Sequence, residues 1–232
     1  MLVHGAWHGG WCWHRVGDRL RRAGQRVFAP TLTGVGERRH LLSAAVDLET
    51  HIEDVLGVLE AEELEDVVLV GHSYAGLVIS GVAGRARARL RRLVYLDALL
   101  VEDGQSWAQA FPPEVAEARR KGATVTNGVK TIPPPDPAIY GFADPADTEW
   151  VRRRMTPHPY APFEQKVRWG GPLGSGLPRS YVDCTQPALA VLGTMKDRYR
   201  GRREWPFVEM KTGHDAMLSA PEALARLLLE DA

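Results

Sequence analysis

Cysteine is nearly missing from this chain, which has two, Cys12 and Cys184, in 232 residues. Two thiols build no disulfide framework, Cys-x-x-Cys motif or zinc site, and that points to a reduced, cytoplasmic protein. Net charge is missing too, because 29 Lys and Arg balance 29 Asp and Glu. With no global field, nothing attracts nucleic acid or an anionic membrane, so neither is expected as a partner. Long apolar runs are also lacking: none reaches the ~18 residues that span a bilayer. The start, MLVHGAW, has no basic n-region or long h-region and is not expected to be a signal peptide. Lysine is far outnumbered by arginine, which forms runs at Arg91-Arg92, Arg152-Arg153-Arg154 and Arg202-Arg203. Without interleaved aromatics these read as solvated helix faces.

The remaining composition is ordinary for a soluble globular protein, with 44% hydrophobic and 25% charged residues, and the length suffices for one domain with a sizeable core. A short apolar strand ends at Val3-His4 and opens into the loop Gly5-Ala6-Trp7-His8-Gly9-Gly10. A helical pattern over residues 11–23, stopped by Gly24, precedes a strand at 26–29 that Pro30 breaks. Over residues 47–63, Leu48, Ile52, Val55, Leu56 and Leu59 share one helix face. Further strands are expected at 67–70, 92–96, 180–185 and 205–210, with helices at 75–85, 188–199 and 219–230. Residues 104–176 differ: they hold most of the prolines and many aromatics, and read as an excursion of mostly short helices and loops from a core made by 1–103 and 177–232.

Alternating strands and helices imply a parallel sheet covered on both faces, and such sheets bind ligands at the carboxyl ends of their strands. The polar residues falling there are His4, Ser73, Asp97, Asp183 to Thr185, and His214. Ser73 sits in Gly71-His72-Ser73-Tyr74-Ala75, between an apolar strand and an apolar helix. There G-x-S-x-[GA] reads as a nucleophile elbow, whose small residues let strand and helix approach while the serine is held out. A serine hydroxyl needs a base, and His214, after the last strand, is the candidate. The resulting oxyanion needs backbone donors, expected from the N–H of Tyr74 and of Ala6. His4, alone as a base or with His8 and His14 as a metal cluster, is the weaker reading of the same loop; no metal is expected.

These residues carry a resemblance. His4-Gly5-Ala6-Trp7-His8-Gly9-Gly10-Trp11, Val70-Gly71-His72-Ser73 and Gly213-His214-Asp215-Ala216-Met217-Leu218 closely resemble an α/β-hydrolase. The branch is that of plant methylesterases, hydroxynitrile lyases and their bacterial esterase relatives. The resemblance covers the whole sheet and implies an α/β-hydrolase fold: a mostly parallel sheet with helices on both faces, its first strands missing here, and a cap at 104–176. It also implies a cofactor-free Ser-His-acid hydrolase acting on small esters. The lyases carry a lysine just after the catalytic histidine and a threonine in the first loop, whereas this chain has Asp215 and Gly5-Ala6. Ester hydrolysis is therefore expected over cyanohydrin cleavage.

The triad acid departs from the plant pattern. Their Cys-Thr-x-Asp reads Cys184-Thr185-Gln186-Pro187 here, with proline in the acid's place. Asp97, closing the preceding strand, is the expected replacement; Asp183, Asp197 and Asp215 follow, with Asp215 expected to point away from His214. Trp7, Tyr74, Trp107, Phe142, Trp150 and Met217 are expected to shape an apolar or aromatic ester pocket. Lactone hydrolysis, acyl transfer and carbon–carbon cleavage use the same parts, and a ligand-binding protein with little turnover is the rival from another class. A homodimer is left open.

Overall fold

The computed structural model describes residues 1–230. Strand β1 (Leu2–Val3) leads through a loop and a 3₁₀ turn into α1 (His14–Arg22), which Gly24 ends at φ 85°. Helix α2 (Leu48–Ala61) is started by Asp47, whose carboxylate accepts the Thr50 N–H at 2.9 Å in a reciprocal capping box. Then come β2 (Val67–His72), α3 (Ala75–Arg85) and β3 (Leu90–Leu96). The inserted segment holds α4 (Trp107–Ala110), α5 (Pro113–Lys121), β4 (Thr124–Thr126), β5 (Val129–Ile132), α6 (Pro145–Arg152), β6 (His158–Pro159) and α7 (Ala161–Glu164). The chain closes with β7 (Arg179–Cys184), α8 (Gly193–Tyr199), β8 (Phe207–Met210), α9 (Ala216–Ser219) and α10 (Pro221–Glu230).

Five strands form the main sheet in the order β1-β2-β3-β7-β8, and every pairing is parallel. Strands β2, β3 and β7 are buried along nearly their whole length, the pattern of a sheet covered on both faces. Helix α1 packs with α10, and α2 with α3. The carboxyl ends of β2 and β3 lie side by side, with His72 opposite Leu96, so the residues that follow them, Ser73 and Asp97, emerge at one edge.

Three expectations are corrected. Residues 26–29 are not a strand: one bond, from Leu2 N–H to the Phe28 carbonyl at 2.8 Å, ties them to β1. β1 offers only two residues as a template, and Pro30 supplies no donor to carry a ladder further. The helix expected from 188 begins as a 3₁₀ turn at Ala190 and becomes α-helical only at Gly193. The inserted segment is not only helices and loops, because β4, β5 and β6 make a three-stranded antiparallel sheet. Its hairpin turns on Asn127-Gly128 at φ 49° and 79°, the positive pair that a tight two-residue turn requires.

Candidate active site

The turn after β2 is built by close approach. A Cβ on Gly71 would stand 2.7 Å from the Ala75 carbonyl oxygen, and one on Gly76 would collide with that of Leu99. Ser73 itself takes φ 53°, a strained angle for a residue with a side chain. Its backbone is locked from both sides, the N–H on the Leu96 carbonyl at 3.1 Å and the carbonyl accepting from Leu99 N–H at 2.9 Å. Trp7 (φ 66°) and Asp97 (φ 43°) share this left-handed geometry, so three strained residues converge on one edge of the sheet.

His214, held between β8 and α9, places Nδ1 2.6 Å from Asp97 Oδ2, with both groups buried. Gly213 permits this position, since any side chain there would strike the Tyr140 carbonyl. The other carboxylate oxygen of Asp97 contacts Lys196 Nζ and accepts weakly from Cys184 N–H at 3.3 Å. Lys196, on α8 and 4% exposed, also reaches Asp183 Oδ1 at 2.8 Å. Asp183 is held in turn by Arg200 at 2.5 Å. Burial pushes the Asp97 carboxyl upward, but the His214 hydrogen bond and the Lys196 charge outweigh it and hold the group below its ordinary range. Of the other candidate acids, Asp183 serves as a counter-charge to Lys196, and Asp197 is exposed on α8. Asp215 turns from His214 to His8, 3.0 Å away. Burial raises the Asp215 carboxyl, yet His8 more than offsets it and brings it to about 2.

The loop after β1 rests on the serine: a Cβ on Gly5 would lie 2.9 Å from Ser73 Cβ. His8 Nδ1 meets the Ala6 carbonyl at 2.8 Å, so the His8–Asp215 pair braces this loop from beneath. Among the described residues, neither Ala6 N–H nor Tyr74 N–H donates to a protein acceptor. His4 is buried, with its ring between the Gly5 carbonyl at 2.8 Å and Leu32 N–H at 3.0 Å, and burial lowers its pKa to about 3. His14 is exposed, so His4, His8 and His14 form no cluster. A different trio, His72, His214 and Asp215, brings its ligand atoms within 4.8 Å of one another. Each has an internal partner: His72 Nε2 meets the His214 carbonyl at 3.1 Å, His214 meets Asp97, and Asp215 meets His8. One atom of each is committed in this way, while His72 Nδ1 and Asp215 Oδ1 make no hydrogen bond.

Ser73 and His214 both line a narrow cavity of about 40 Å³, with Trp7 and Trp107 among its walls. Leu99, Phe111, Arg119, Pro135, Ile139, Tyr140, Leu189, Val191 and Leu192 complete it, none of which the sequence singled out. Phe142, Trp150 and Met217, expected in the pocket, lie elsewhere. Phe142 packs near Tyr140, with ring centroids 6.3 Å apart. Trp150 stacks edge-on against Trp11 at 5.0 Å and under Arg154 at 4.1 Å, fastening α6 to the start of α1. Met217 is fully buried in α9, where the turn after His214 sends it into the core. Tyr74 is fully buried beside the cavity, its hydroxyl 2.9 Å from His51 Nδ1.

The parallel sheet, the elbow and the buried imidazole–carboxylate pair at its carboxyl edge define a hydrolase of the α/β class. The chain matches the alpha/beta hydrolase family over residues 1–227 and belongs to it. It is 42% identical over 234 residues to a carbendazim-hydrolysing esterase of Nocardioides sp. (strain SG-4G), covering 98% of this chain and 97% of that protein. Methylesterase 10 of Arabidopsis thaliana is 34% identical over 250 residues, covering 99% of this chain and 90% of that one. Among solved structures, an extracellular alpha/beta-hydrolase from a Paenibacillus species superposes with TM-score 0.82 at 24% identity, covering 99% and 96% of the two chains, a likeness of fold. On this kinship the chain is an enzyme, a carboxylic ester hydrolase. No helix of the described residues is long and apolar enough to cross a membrane.

Proposed function

We propose that the chain hydrolyses small carboxylic esters through an acyl-enzyme on Ser73, with His214 as general base and Asp97 as its acid partner. The observation that carries this reading is the buried 2.6 Å contact of His214 Nδ1 with Asp97, made by an imidazole that shares its cavity with Ser73. With Nδ1 committed, the other ring nitrogen is left to take the Ser73 proton as Oγ attacks the ester carbonyl. The N–H groups of Ala6 and Tyr74, free of protein acceptors and flanking the serine, are the donors for the oxyanion. His214 then gives its proton to the leaving alkoxide, takes one from water, and hydroxide attacks the acyl carbonyl to release the acid.

The narrow, mostly apolar cavity suits a small, largely apolar or aromatic ester, the relative named for carbendazim hydrolysis supports esterase activity, and the one named a methylesterase supports a small leaving alcohol. Lactone opening, acyl transfer and carbon–carbon cleavage remain within reach of the same groups. Pro187 in the acid's place favours the ligand-binding alternative, and a carboxylate beside His214 argues against it. The test is p-nitrophenyl acetate and butyrate hydrolysis, with fluorophosphonate labelling, by wild type and Ser73→Ala. Serine-dependent turnover and labelling are expected. A wild type that neither turns over nor labels would return the protein to the binding class.

A further inference from the structure

One wall of the cavity does not fit an apolar ester. Arg119, on α5, is the one permanently charged residue among those lining it, and no aspartate or glutamate is among them. The guanidinium carbon lies 5.3 Å from the Trp7 ring, 5.6 Å from Trp107 and 4.9 Å from Phe111. Its neighbour in sequence, Arg120, is exposed and takes Glu164 at 2.8 Å, the ordinary fate of an arginine. Among the described residues Arg119 has no carboxylate partner and no hydrogen-bond acceptor; aromatic faces are its company. Burial lowers its pKa from the usual arginine range, yet a guanidinium stays charged at any ordinary pH.

Arg119 is half-buried, and a cation that has lost part of its water while its fork of donors stays uncommitted regains only part of that loss from aromatic faces. Nearby groups add no compensating charge. His158 is fully buried and held neutral, first by burial and then by His51, His4 and Arg119 itself. Arg119 also stands at a junction. With Trp7 and Pro135 it lines both the cavity at Ser73 and a wider cleft of about 470 Å³ beside it. Glu114 sits exposed on that cleft and does not pair with Arg119.

We propose that Arg119 is an anion-binding subsite of the enzyme, and that the substrate is an ester carrying a second, ionised carboxylate on an apolar or aromatic frame. The free carboxylate meets the guanidinium fork, the frame lies along Trp7, Trp107 and Phe111, and the ester carbonyl reaches Ser73. A carboxylate matches that fork with two parallel hydrogen bonds, and the aromatic surround shields the pair from part of the water, which strengthens it. The proposal rests on the Ser73 esterase reading above.

The test compares monomethyl adipate and monomethyl terephthalate with their neutral counterparts, in which the free carboxylate is a primary amide. Product acid is followed by chromatography. In the wild type, kcat/KM for the anion is expected to exceed that for the amide at least tenfold for one pair, chiefly through KM. Arg119→Gln should cut that ratio tenfold or more, Arg119→Lys should fall between, and Arg120→Gln should leave it unchanged. Equilibrium binding reads the same preference without turnover. Ser73→Ala protein should bind terephthalate at least tenfold tighter than terephthalamide, and Ser73→Ala/Arg119→Gln should not. Serine-dependent hydrolysis with no preference for the anion, or a preference that survives Arg119→Gln, overturns the subsite and leaves the esterase. Failure of every ester while terephthalate still binds through Arg119 overturns the esterase and keeps the anion site. Failure of both turnover and charge-selective binding overturns both.

Discussion

Replacing Asp97 with asparagine isolates the role of one charge. The backbone tolerates the change, because Asp97 sits at φ 43° and asparagine is among the few residues at ease there. Size and shape are kept; what is lost is the negative charge 2.6 Å from the imidazole that becomes imidazolium in the proposed mechanism. At an effective dielectric near ~20, opposite charges at that separation attract by ~6 kcal/mol. Lys196 on the other carboxylate oxygen offsets part of that field. The expected loss in kcat is therefore ~10³ to 10⁴-fold, or about 4 to 5.4 kcal/mol of transition-state stabilisation. Asp183→Asn is the comparison. It removes a carboxylate of the same network, 2.8 Å from Lys196, without touching His214, so kcat should stay within about tenfold. The assay is pH-stat hydrolysis of methyl butyrate, whose poor leaving group makes the imidazolium necessary, with p-nitrophenyl butyrate in parallel. Asp183→Asn falling as far as Asp97→Asn, or Asp97→Asn staying within tenfold of wild type, refutes the assignment.

Lys196→Met leaves Asp97 without its buried cation and Asp183 with Arg200 alone, so chemical unfolding should show a loss of ~3 to 5 kcal/mol. An unfolding free energy that Lys196→Met leaves unchanged counts against this role. Asp215 has a folded pKa of about 2 against an ordinary 3.8, so its ~2 kcal/mol of stability is present above about pH 4 and lost as pH falls through 2. His8 is raised above 6.5 because Asp215 outweighs the effect of burial, so its share is present below pH 6.5 and lost as pH rises through the folded value. Urea midpoints should therefore show the pair at full strength between about pH 4 and 6.5, and Asp215→Asn should flatten both flanks; an unchanged pH profile refutes the pairing.

The legible parts of this chain are those where local sequence dictates backbone. Gly71, Ala75 and Gly76 announce the elbow because strand and helix must nearly touch there, and a histidine after the last strand has little other business at that edge. The Asn127-Gly128 turn is equally local, and its flanking alternation of Thr, Val and Lys is a hairpin signal that the expectation of mostly short helices and loops passes over. Lys196 and Arg119 could not be read in this way. Lys196 lies in Met-Lys-Asp-Arg, a run that looks like a solvated helix face, and only the register of β3 against β7 brings two carboxylates to it. Arg119 looks like half of a surface pair with Arg120, and only the path of α5 over Trp7 and Trp107 separates their fates. Aromatic residues misled for a related reason. Trp150 marks where the insertion grips the turn before α1 and Phe142 packs on Tyr140 within the insertion, and a ring used for packing has the same composition as a ring that lines a pocket.

The position of the acid follows from the geometry of neighbouring strands. Leu96 is paired with Val182, and Asp97 N–H donates to the Val182 carbonyl at 2.8 Å, so Asp97 and Asp183 leave adjacent strand ends at the same level. An imidazole above that edge can be met by a carboxylate arriving from either strand, so the proposed acid can come from β3 although Pro187, and no carboxylate, follows β7. Pro187 meanwhile serves packing: Gly141 of the insertion lies against its ring so closely that any side chain at Gly141 would overlap it. Two buried carboxylates on adjacent strand ends would repel one another, and one of them would take up a proton. Lys196 bridges the two, with Arg200 on the outer one, and its charge helps to hold Asp97 below its ordinary range, as the proposed partner of an imidazolium requires. The lysine is thus a condition for having the acid on β3 while Asp183 stays on β7, and Asp183→Asn should make Lys196→Met less damaging than it is alone. A double-mutant cycle in which the two losses simply add would show that the carboxylates do not share the cation.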